Sequence, residues 1–331
     1  MKLVVLIPAY NEAVKIGEVI KKIPKTVLGI RTTVLVVDDG SKDQTSGISR
    51  KAGAIVIRHQ TNSGVGVSFQ TGLQKALEIG ADYLVNIDAD GQYTPKNIID
   101  ILKPIIDGEA DFVTANRFKD KHGNPRVPVN MPKDKYYGNL MMSKLISFLA
   151  GQKFDDVSSG FRAYSKKAML LLELTGKFTY TQESFIDLAS KGISIKSVSV
   201  SIKYFKDRKS RVAGNLLKYG IRTLIIIVKT FRDYKPFLFF LYLSIIPACI
   251  SVISAIFLTY WYIASGSFTP YKIVGFVFIY FSAFTFALLA MGFLADMFTR
   301  IRMYQEKILY YQKMRFFQMK ENGYLPENKF R

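Results

Sequence analysis

Residues 83–95 read YLVNIDADGQYTP. Five apolar or neutral residues, Tyr83 to Ile87, deliver two aspartates, Asp88 and Asp90, onto a turn that closes through Gly91, Gln92 and Pro95. A short apolar run that stops on a Gly-containing turn predicts a strand end. In an open α/β sheet ligands bind beyond the carboxyl ends of the strands, so the carboxylates are candidate ligand contacts. Taken alone, a D-x-D turn is equally a helix-capping device.

The surrounding chain supports the sheet. Runs rich in Val, Ile and Leu at 3–8, 33–38, 54–59, 82–88 and 111–115 predict strands, each followed by a polar or glycine-bearing turn. Helical patterns at about 12–23, 43–52, 65–79 and 96–107 separate them. Such alternation predicts an α/β fold with a mostly parallel sheet and helices on both faces. Residues 118–136, FKDKHGNPRVPVNMPKDKY, predict a long loop over the carboxyl edge of the sheet. A helix at about 137–150, the stretch DDVSSGFRAYS, a helix near 165–174 and a strand near 195–205 follow.

The composition changes at residue 236. Residues 236–298 contain almost nothing ionisable apart from Lys272 and Asp296, and two apolar runs, 237–263 and 273–293, exceed the roughly 20 residues needed to cross a bilayer core. Lys and Arg crowd the chain on either side, whereas the connector ASGSFTPYK is nearly uncharged, which predicts that both ends lie in the cytoplasm. The expected organisation is a cytoplasmic catalytic domain at 1–211, an amphipathic juxtamembrane helix at 212–235, a transmembrane hairpin at 236–298 and a basic cytoplasmic tail at 299–331.

The formal net charge is +20, but its basic clusters, such as KYFKDRKSR at 203–211, gather around the apolar runs rather than in a recognition helix. That placement points to a membrane surface or a phosphorylated ligand and away from nucleic acid. The single cysteine, Cys249, excludes disulfides and a Cys-based metal site. The start MKLVVLIPAYNE is expected to be a first strand rather than a signal peptide.

Three further stretches carry chemistry. The first strand ends in PAYNE and the second in VVDDGSKDQT, so Pro8, Tyr10, Glu12, Asp38 and Asp39 are expected at the same edge as Asp88, where acidic turns can grip a base and ribose hydroxyls. Asp43 is expected only to cap the next helix. NSGVGVSFQTG is glycine-rich, but Phe69 occupies the third position of the dinucleotide fingerprint, which argues against a nicotinamide enzyme. Asp88 and Asp90, with Gln92 two residues on, offer hard oxygen ligands suited to Mg²⁺ or Mn²⁺ held together with phosphate oxygens.

Together, LIPAYNE, VVDDGSKDQT, NIDADGQY and SSGFRAYS resemble the family 2 inverting glycosyltransferases of type A, in particular the polyprenyl-phosphate glycosyltransferases similar to dolichol-phosphate mannose synthase. The resemblance covers residues 1 to about 210. It implies a nucleotide sugar donor and a polyprenyl phosphate acceptor, dolichyl or undecaprenyl. It also implies nucleotide contacts at Pro8, Tyr10, Glu12, Asp38, Asp39 and Asp88, with Asp39 accepting from the base and Tyr10 lying against it.

The metal and diphosphate group would be Asp88, Asp90 and Gln92. Arg117 in ANRF, Arg162 in SSGFRAYS, and Arg208, Lys209 and Ser210 in DRKSR would meet phosphate, a task suited to an Arg fork. For Arg162 a structural ion pair is the equal alternative. Glu183 in TYTQESF would contact sugar hydroxyls, or act as base.

DADGQY and DRKSR depart from the mannose synthase pattern, and this leaves a UDP-linked and a GDP-linked sugar both open. The oligomeric state, homo-oligomer included, is equally open. Two other readings carry distinguishing marks. A processive polysaccharide synthase of the same fold would carry Q-x-x-R-W, which the chain lacks, its one tryptophan, Trp261, lying in an apolar run. A non-catalytic membrane scaffold would show a degraded acidic set, whereas Asp39, Asp88, Asp90 and Gln92 are intact.

Overall fold

A computed structural model of the chain describes residues 1–174, 180–204, 228–229 and 231–321. The chain divides into two compact units, Met1–Arg208 with Leu309–Arg331, and Lys209–Ile308.

The first unit is built on an eight-stranded sheet. Strands β1 (Lys2–Ala9), β3 (Ile30–Asp38), β4 (Ile55–Arg58) and β5 (Tyr83–Asn86) form a parallel set in which β1 lies between β3 and β5, and β4 pairs with β3. The β3 and β5 partners of β1 lie on opposite sides of it, so the order of strands switches direction there, and a crevice opens at such a point. A two-residue strand β2 (Thr26–Val27) pairs antiparallel with the start of β3, and β6 (Phe112–Asn116) pairs parallel with β8 (Ile195–Ser199).

The fold differs from the sequence expectation at β7 (Arg162–Ser165). This segment, for which the sequence predicts no strand, runs antiparallel between β5 and β6. Four residues are too few for an alternation signal, and all four are buried on both faces. Its insertion brings the residues before it to the edge where β5 ends, because Asn86 pairs with Arg162.

Helices α1 (Ile16–Lys22), α2 (Thr45–Lys51), α3 (Val65–Glu78) and α4 (Ile98–Ile106) connect the parallel strands, and α5 (Lys133–Ala150), α6 (Lys166–Leu171) and α7 (Tyr180–Ser190) complete the unit. The strands read as near-continuous apolar runs because both faces are covered: Leu3 to Ile7 of β1 and Leu35 to Val37 of β3 are fully buried. Gly72 in α3 lets that helix rest on β1, since a Cβ there would lie 2.2 Å from Leu6 Cδ1.

The second unit contains α8 (Pro236–Ser265) and the first part of α9 (Lys272–Glu321). Ser251 Oγ and Ser282 Oγ meet at 2.6 Å between the two helices, and the Phe237 and Phe293 rings pack 4.9 Å apart. Both helices are long and apolar enough to cross a membrane, and only 28% and 6% of their most apolar windows are buried within the protein. A hairpin serving as the core of a soluble domain would hide that surface.

Helix α9 does not stop where the apolar run ends. It continues unbroken to Glu321, and its last turns belong to the first unit, where Lys313 pairs with Glu173 and Phe317 is buried. Residues 299–321 are thus helical. Most of the expected juxtamembrane helix at 212–235 lies outside the described residues.

Candidate functional site

Register alone brings the three acidic turns together. Ala9 pairs with Asp38 and Leu6 with Asn86, so β3, β1 and β5 release their chains side by side at one edge. The first two turns brace each other. Asn11 N donates to Ser41 Oγ at 2.9 Å, Glu12 N to Thr45 Oγ1 at 2.9 Å, and Lys42 N to Asn11 Oδ1 at 2.8 Å. Asn11 takes a φ of 53°, a left-handed conformation that asparagine tolerates better than most residues. Pro8, Tyr10 and Glu12 remain half-buried along this crossing.

The adjacent aspartates of the β3 turn do different work. Asp38 is fully buried and faces its own turn, accepting from Ser41 N at 2.9 Å and from the Ser46 hydroxyl. This departs from the expected nucleotide contact: the unpaired N–H and hydroxyl groups of the tight turn into α2 claim the carboxylate first. Asp43 behaves as a local brace, accepting from Thr45 N at 3.0 Å and Ala13 N at 3.1 Å. Asp39 Oδ1 accepts from His59 Nδ1 at 2.8 Å and Ser63 N at 2.9 Å, and Oδ2 from Gly64 N at 2.8 Å. Burial opposes ionisation of Asp39, but these hydrogen bonds outweigh it and hold the carboxyl below the usual carboxylate range.

The D-x-D turn is held from the β7 side. Asn86 Nδ2 donates to Gly160 O at 2.7 Å, and Tyr93 Oη meets Ser159 Oγ at 2.9 Å. The Asp88 carboxylate then rests directly on Gly160, where a Cβ would stand 2.6 Å from Oδ1 and 2.9 Å from Oδ2. Gln92 N donates to Asp90 Oδ1 at 2.9 Å, closing the turn, and Lys203 N donates to Gln92 O at 3.0 Å. Burial pushes the Tyr180 phenol up, with the Asp88 charge adding to it, and burial likewise raises that of Tyr93. Both phenols therefore stay neutral beside the carboxylate.

The expected phosphate arginines are engaged elsewhere. Arg117 at the end of β6 is buried and forms a fork with Asp156, Nε to Oδ2 at 2.7 Å and Nη2 to Oδ1 at 2.7 Å, while Nη1 donates to Tyr204 Oη at 3.1 Å. Burial works against its charge, but the Asp156 carboxylate prevails and holds the guanidinium charged.

Arg162 is fully buried, with Nε donating to Ser159 O at 2.7 Å, Nη2 to Val157 O at 3.0 Å, and its guanidinium over the rings of Phe112 and Phe185. Its hydrogen bonds go to loop carbonyls rather than to the expected ligand phosphate. Strand β7 turns the side chain into the core, and the guanidinium ties down the loop that carries Gly160. Glu183 is half-buried in the first turn of α7, the helix whose Tyr180 reaches Asn86 at 3.3 Å. Arg208, Lys209 and Ser210 lie outside the described residues.

Sequence reading missed His59, Asn86 and Asp156 as members of this assembly. Asp156 stands in the motif that contains Gly160, and its pairing with Arg117 spans 39 positions. His59 follows β4, a strand end at the same edge, which was its only signal.

Among the described residues no cluster of three or more His, Cys, Asp or Glu side chains gathers. Two half-buried carboxylates on one turn, Asp88 and Asp90, still fit Mg²⁺ or Mn²⁺, which draw further ligands from phosphate oxygens and water.

Known proteins resemble this chain. Residues 4–170 match the glycosyl transferase family 2 model. The UDP-N-acetylglucosamine–dolichyl-phosphate N-acetylglucosaminyltransferase of Methanococcus voltae is 32% identical over 244 residues, 68% of this chain and 94% of that protein. The polyprenol monophosphomannose synthase of Mycolicibacterium smegmatis is 25% identical over 228 residues, 65% of this chain and 82% of its own.

Among solved structures, glucosyl-3-phosphoglycerate synthase from Mycobacterium tuberculosis with Mn²⁺, UDP and glucosyl-3-phosphoglycerate superposes with a TM-score of 0.53 at 20% identity, over 70% of this chain and 79% of that one. At that identity the likeness concerns the fold. With the family match, the relatives and the sheet edge in agreement, the chain is a glycosyltransferase and belongs to glycosyltransferase family 2.

Proposed function

We propose that this enzyme transfers one sugar, with inversion and with a divalent metal, from a nucleotide diphosphate sugar to a polyprenyl phosphate at the cytoplasmic face of a membrane. The observation that carries the reading is the Asp88 carboxylate seated on Gly160 at the switch point of the sheet, beside two further acidic turns, in a chain that also has two helices fit to cross a bilayer. Relatives named for dolichyl phosphate and polyprenol phosphate acceptors support the acceptor class.

In this reading Pro8, Tyr10, Glu12 and Asp39 hold the nucleoside. Asp88 and Asp90, with Gln92, would hold Mg²⁺ or Mn²⁺, whose charge when bound offsets that of the leaving diphosphate. An acceptor phosphate oxygen forms a bond to the anomeric carbon as the bond to the donor diphosphate breaks, and the electron pair leaves with the nucleoside diphosphate.

A phosphomonoester has a second pKa of about 6, so the acceptor is largely dianionic at neutral pH and needs no general base. Glu183 is then assigned to a sugar hydroxyl. Arg117 and Arg162 build the walls of the site, which leaves Arg208, Lys209 and Ser210 to meet the acceptor phosphate. The work of the protein is alignment and charge stabilisation.

The test uses full-length protein in detergent, radiolabelled UDP- and GDP-sugars and short polyprenyl phosphates. Label entering the organic phase, lost with EDTA and in Asp90→Ala, is the expected result. Release as free monosaccharide or long polymer rejects the acceptor, and full activity of Asp90→Ala with metal present rejects the role of the turn.

A further inference from the structure

The D-x-D turn stands on two supports. The first is the loop 156–160, where Asn86 Nδ2 reaches Gly160 O at 2.7 Å and the Asp88 carboxylate rests on Gly160. The second is the segment 200–204 that follows β8. Ile202 forms an antiparallel bridge with Tyr93, and Lys203 N donates to Gln92 O at 3.0 Å. Asp88 takes its place from the first support. Asp90 takes its place from the second, because Gln92 N donates to Asp90 Oδ1 at 2.9 Å.

The supports are joined to each other twice. Tyr93 joins them once, its backbone meeting Ile202 and its hydroxyl meeting Ser159 Oγ at 2.9 Å. Arg117 joins them again. Its fork on Asp156, two bonds of 2.7 Å, holds the loop, and the same carboxylate accepts from Ser158 N at 3.2 Å. Its Nη1 donates to Tyr204 Oη at 3.1 Å and so holds the segment. Tyr204 and Asp156 are both buried. Burial raises the Tyr204 phenol above its ordinary value, so the hydroxyl keeps its proton and accepts from the guanidinium.

These contacts make a closed circuit: turn, loop, Asp156, Arg117, Tyr204, and back to the turn through Lys203. A closed circuit fixes a spacing that the same contacts, opened at one link, leave free to vary. Groups behind a metal site set its ligands in this way.

We propose that Tyr204 is a positioning residue that closes this circuit and presets the spacing of Asp88 and Asp90 for the small octahedral cation Mg²⁺ over Ca²⁺. The inference rests on the reading of the turn as the metal and diphosphate site. Mg²⁺ demands near-ideal octahedral geometry at about 2.0–2.1 Å, whereas Ca²⁺ takes a variable shell at about 2.3–2.6 Å. A loosened turn therefore loses Mg²⁺ and keeps Ca²⁺. A hydroxyl that only stabilised the fold would weaken both alike.

The experiment is calorimetry on the full-length protein in detergent, with UDP and GDP as probes in EDTA, Mg²⁺ or Ca²⁺. The readout is the gain in affinity that each cation gives over EDTA, for the nucleotide that wild type binds more tightly. Wild type should gain about tenfold or more beyond its Ca²⁺ gain when Mg²⁺ is present. Tyr204→Phe keeps the aromatic ring and the Arg117–Asp156 fork and removes one hydroxyl. Its Mg²⁺ gain should fall about tenfold, the scale of one hydrogen bond to a charged group, while its EDTA affinity and Ca²⁺ gain stay within about twofold of wild type. Arg117→Lys lacks the planar fork that serves both partners and should show the same loss, with the double variant no worse.

If Arg117→Lys fails to fold, Tyr204→Phe decides by itself. Equal Mg²⁺ and Ca²⁺ gains in wild type, or equal falls of the two in Tyr204→Phe, overturn the proposal. Loss of both gains in Asp90→Ala with a normal Mg²⁺ gain in Tyr204→Phe overturns the role of Tyr204 alone. Wild-type gains in Asp90→Ala remove the metal reading on which the proposal rests.

Discussion

Replacing Gly160 by alanine isolates the contact on which the site depends. The added Cβ would stand 2.6 Å from Asp88 Oδ1, about 0.8 Å short of the 3.4 Å at which ordinary contact begins, and 3.1 Å from Asp88 Cγ. The atoms nearest to it all belong to the end of one side chain, and Gly160 is not among the residues held at positive φ, so backbone strain is no obstacle.

The fold can absorb the methyl by swinging Asp88 away, and the stability cost should stay below about 1 kcal/mol. The activity cannot. A reacting group misplaced by about 1 Å costs on the order of 100-fold in rate, so transfer by Gly160→Ala should fall by about that factor at unchanged melting temperature.

The assay is initial-rate transfer of radiolabelled sugar into the organic phase, beside thermal unfolding. The double variant Gly160→Ala, Asp88→Ala should be no slower than Asp88→Ala alone, because the two act through one contact. Transfer within twofold of wild type, with Gly160→Ala folded, would refute the reasoning.

Other perturbations read the frame behind the site. Asp156→Ala strands the buried Arg117 guanidinium and should destabilise the first unit by about 3–5 kcal/mol in urea unfolding, while replacing both partners by apolar residues should recover much of the loss. Gly72→Ala drives a methyl into Leu6, 2.2 Å from Cδ1, and should cost about 1–3 kcal/mol in unfolding without changing donor KM in the folded fraction. The Asp39 carboxyl is held below its ordinary value of 3.8, so its stabilisation is fully present above that pH and is lost as pH falls through the lowered value. Asp39→Asn should therefore flatten the acid limb of the stability curve below about pH 4 and leave pH 6–8 unchanged in slope, as followed by circular dichroism.

Much of the fold was legible because its signals are local. Buried parallel strands read as near-continuous apolar runs in β1, β3 and β5, the turns after β3 and β5 are marked by Gly40 and Gly91 at positive φ, and the two apolar helices are long enough to cross a membrane. Those features determined the sheet, the edge at which the acidic turns emerge and the membrane-fit hairpin. Strand β7 was not legible, since four residues buried on both faces have no periodicity to show. The unbroken run of α9 to Glu321 was hidden by the change from apolar to basic composition, which alters what surrounds a helix rather than the helix itself.

For the site, residue identity marked Asp39, Asp88, Asp90 and Gln92, because carboxylates at a strand end are recognisable one turn at a time. What each charged group does was decided only in three dimensions. Asp38 and Asp39 are neighbours in sequence, yet the first is taken up by its own turn and the second by His59, Ser63 and Gly64, 20 to 25 positions away. Arg117 and Arg162 suggested phosphate binding from their motifs, but a cation buried in a folded protein takes the nearest acceptors, and these were Asp156 and two loop carbonyls. The sequence determined which groups are present at the edge, and the packing of β7 against β5 determined that the Asp88 carboxylate rests on Gly160.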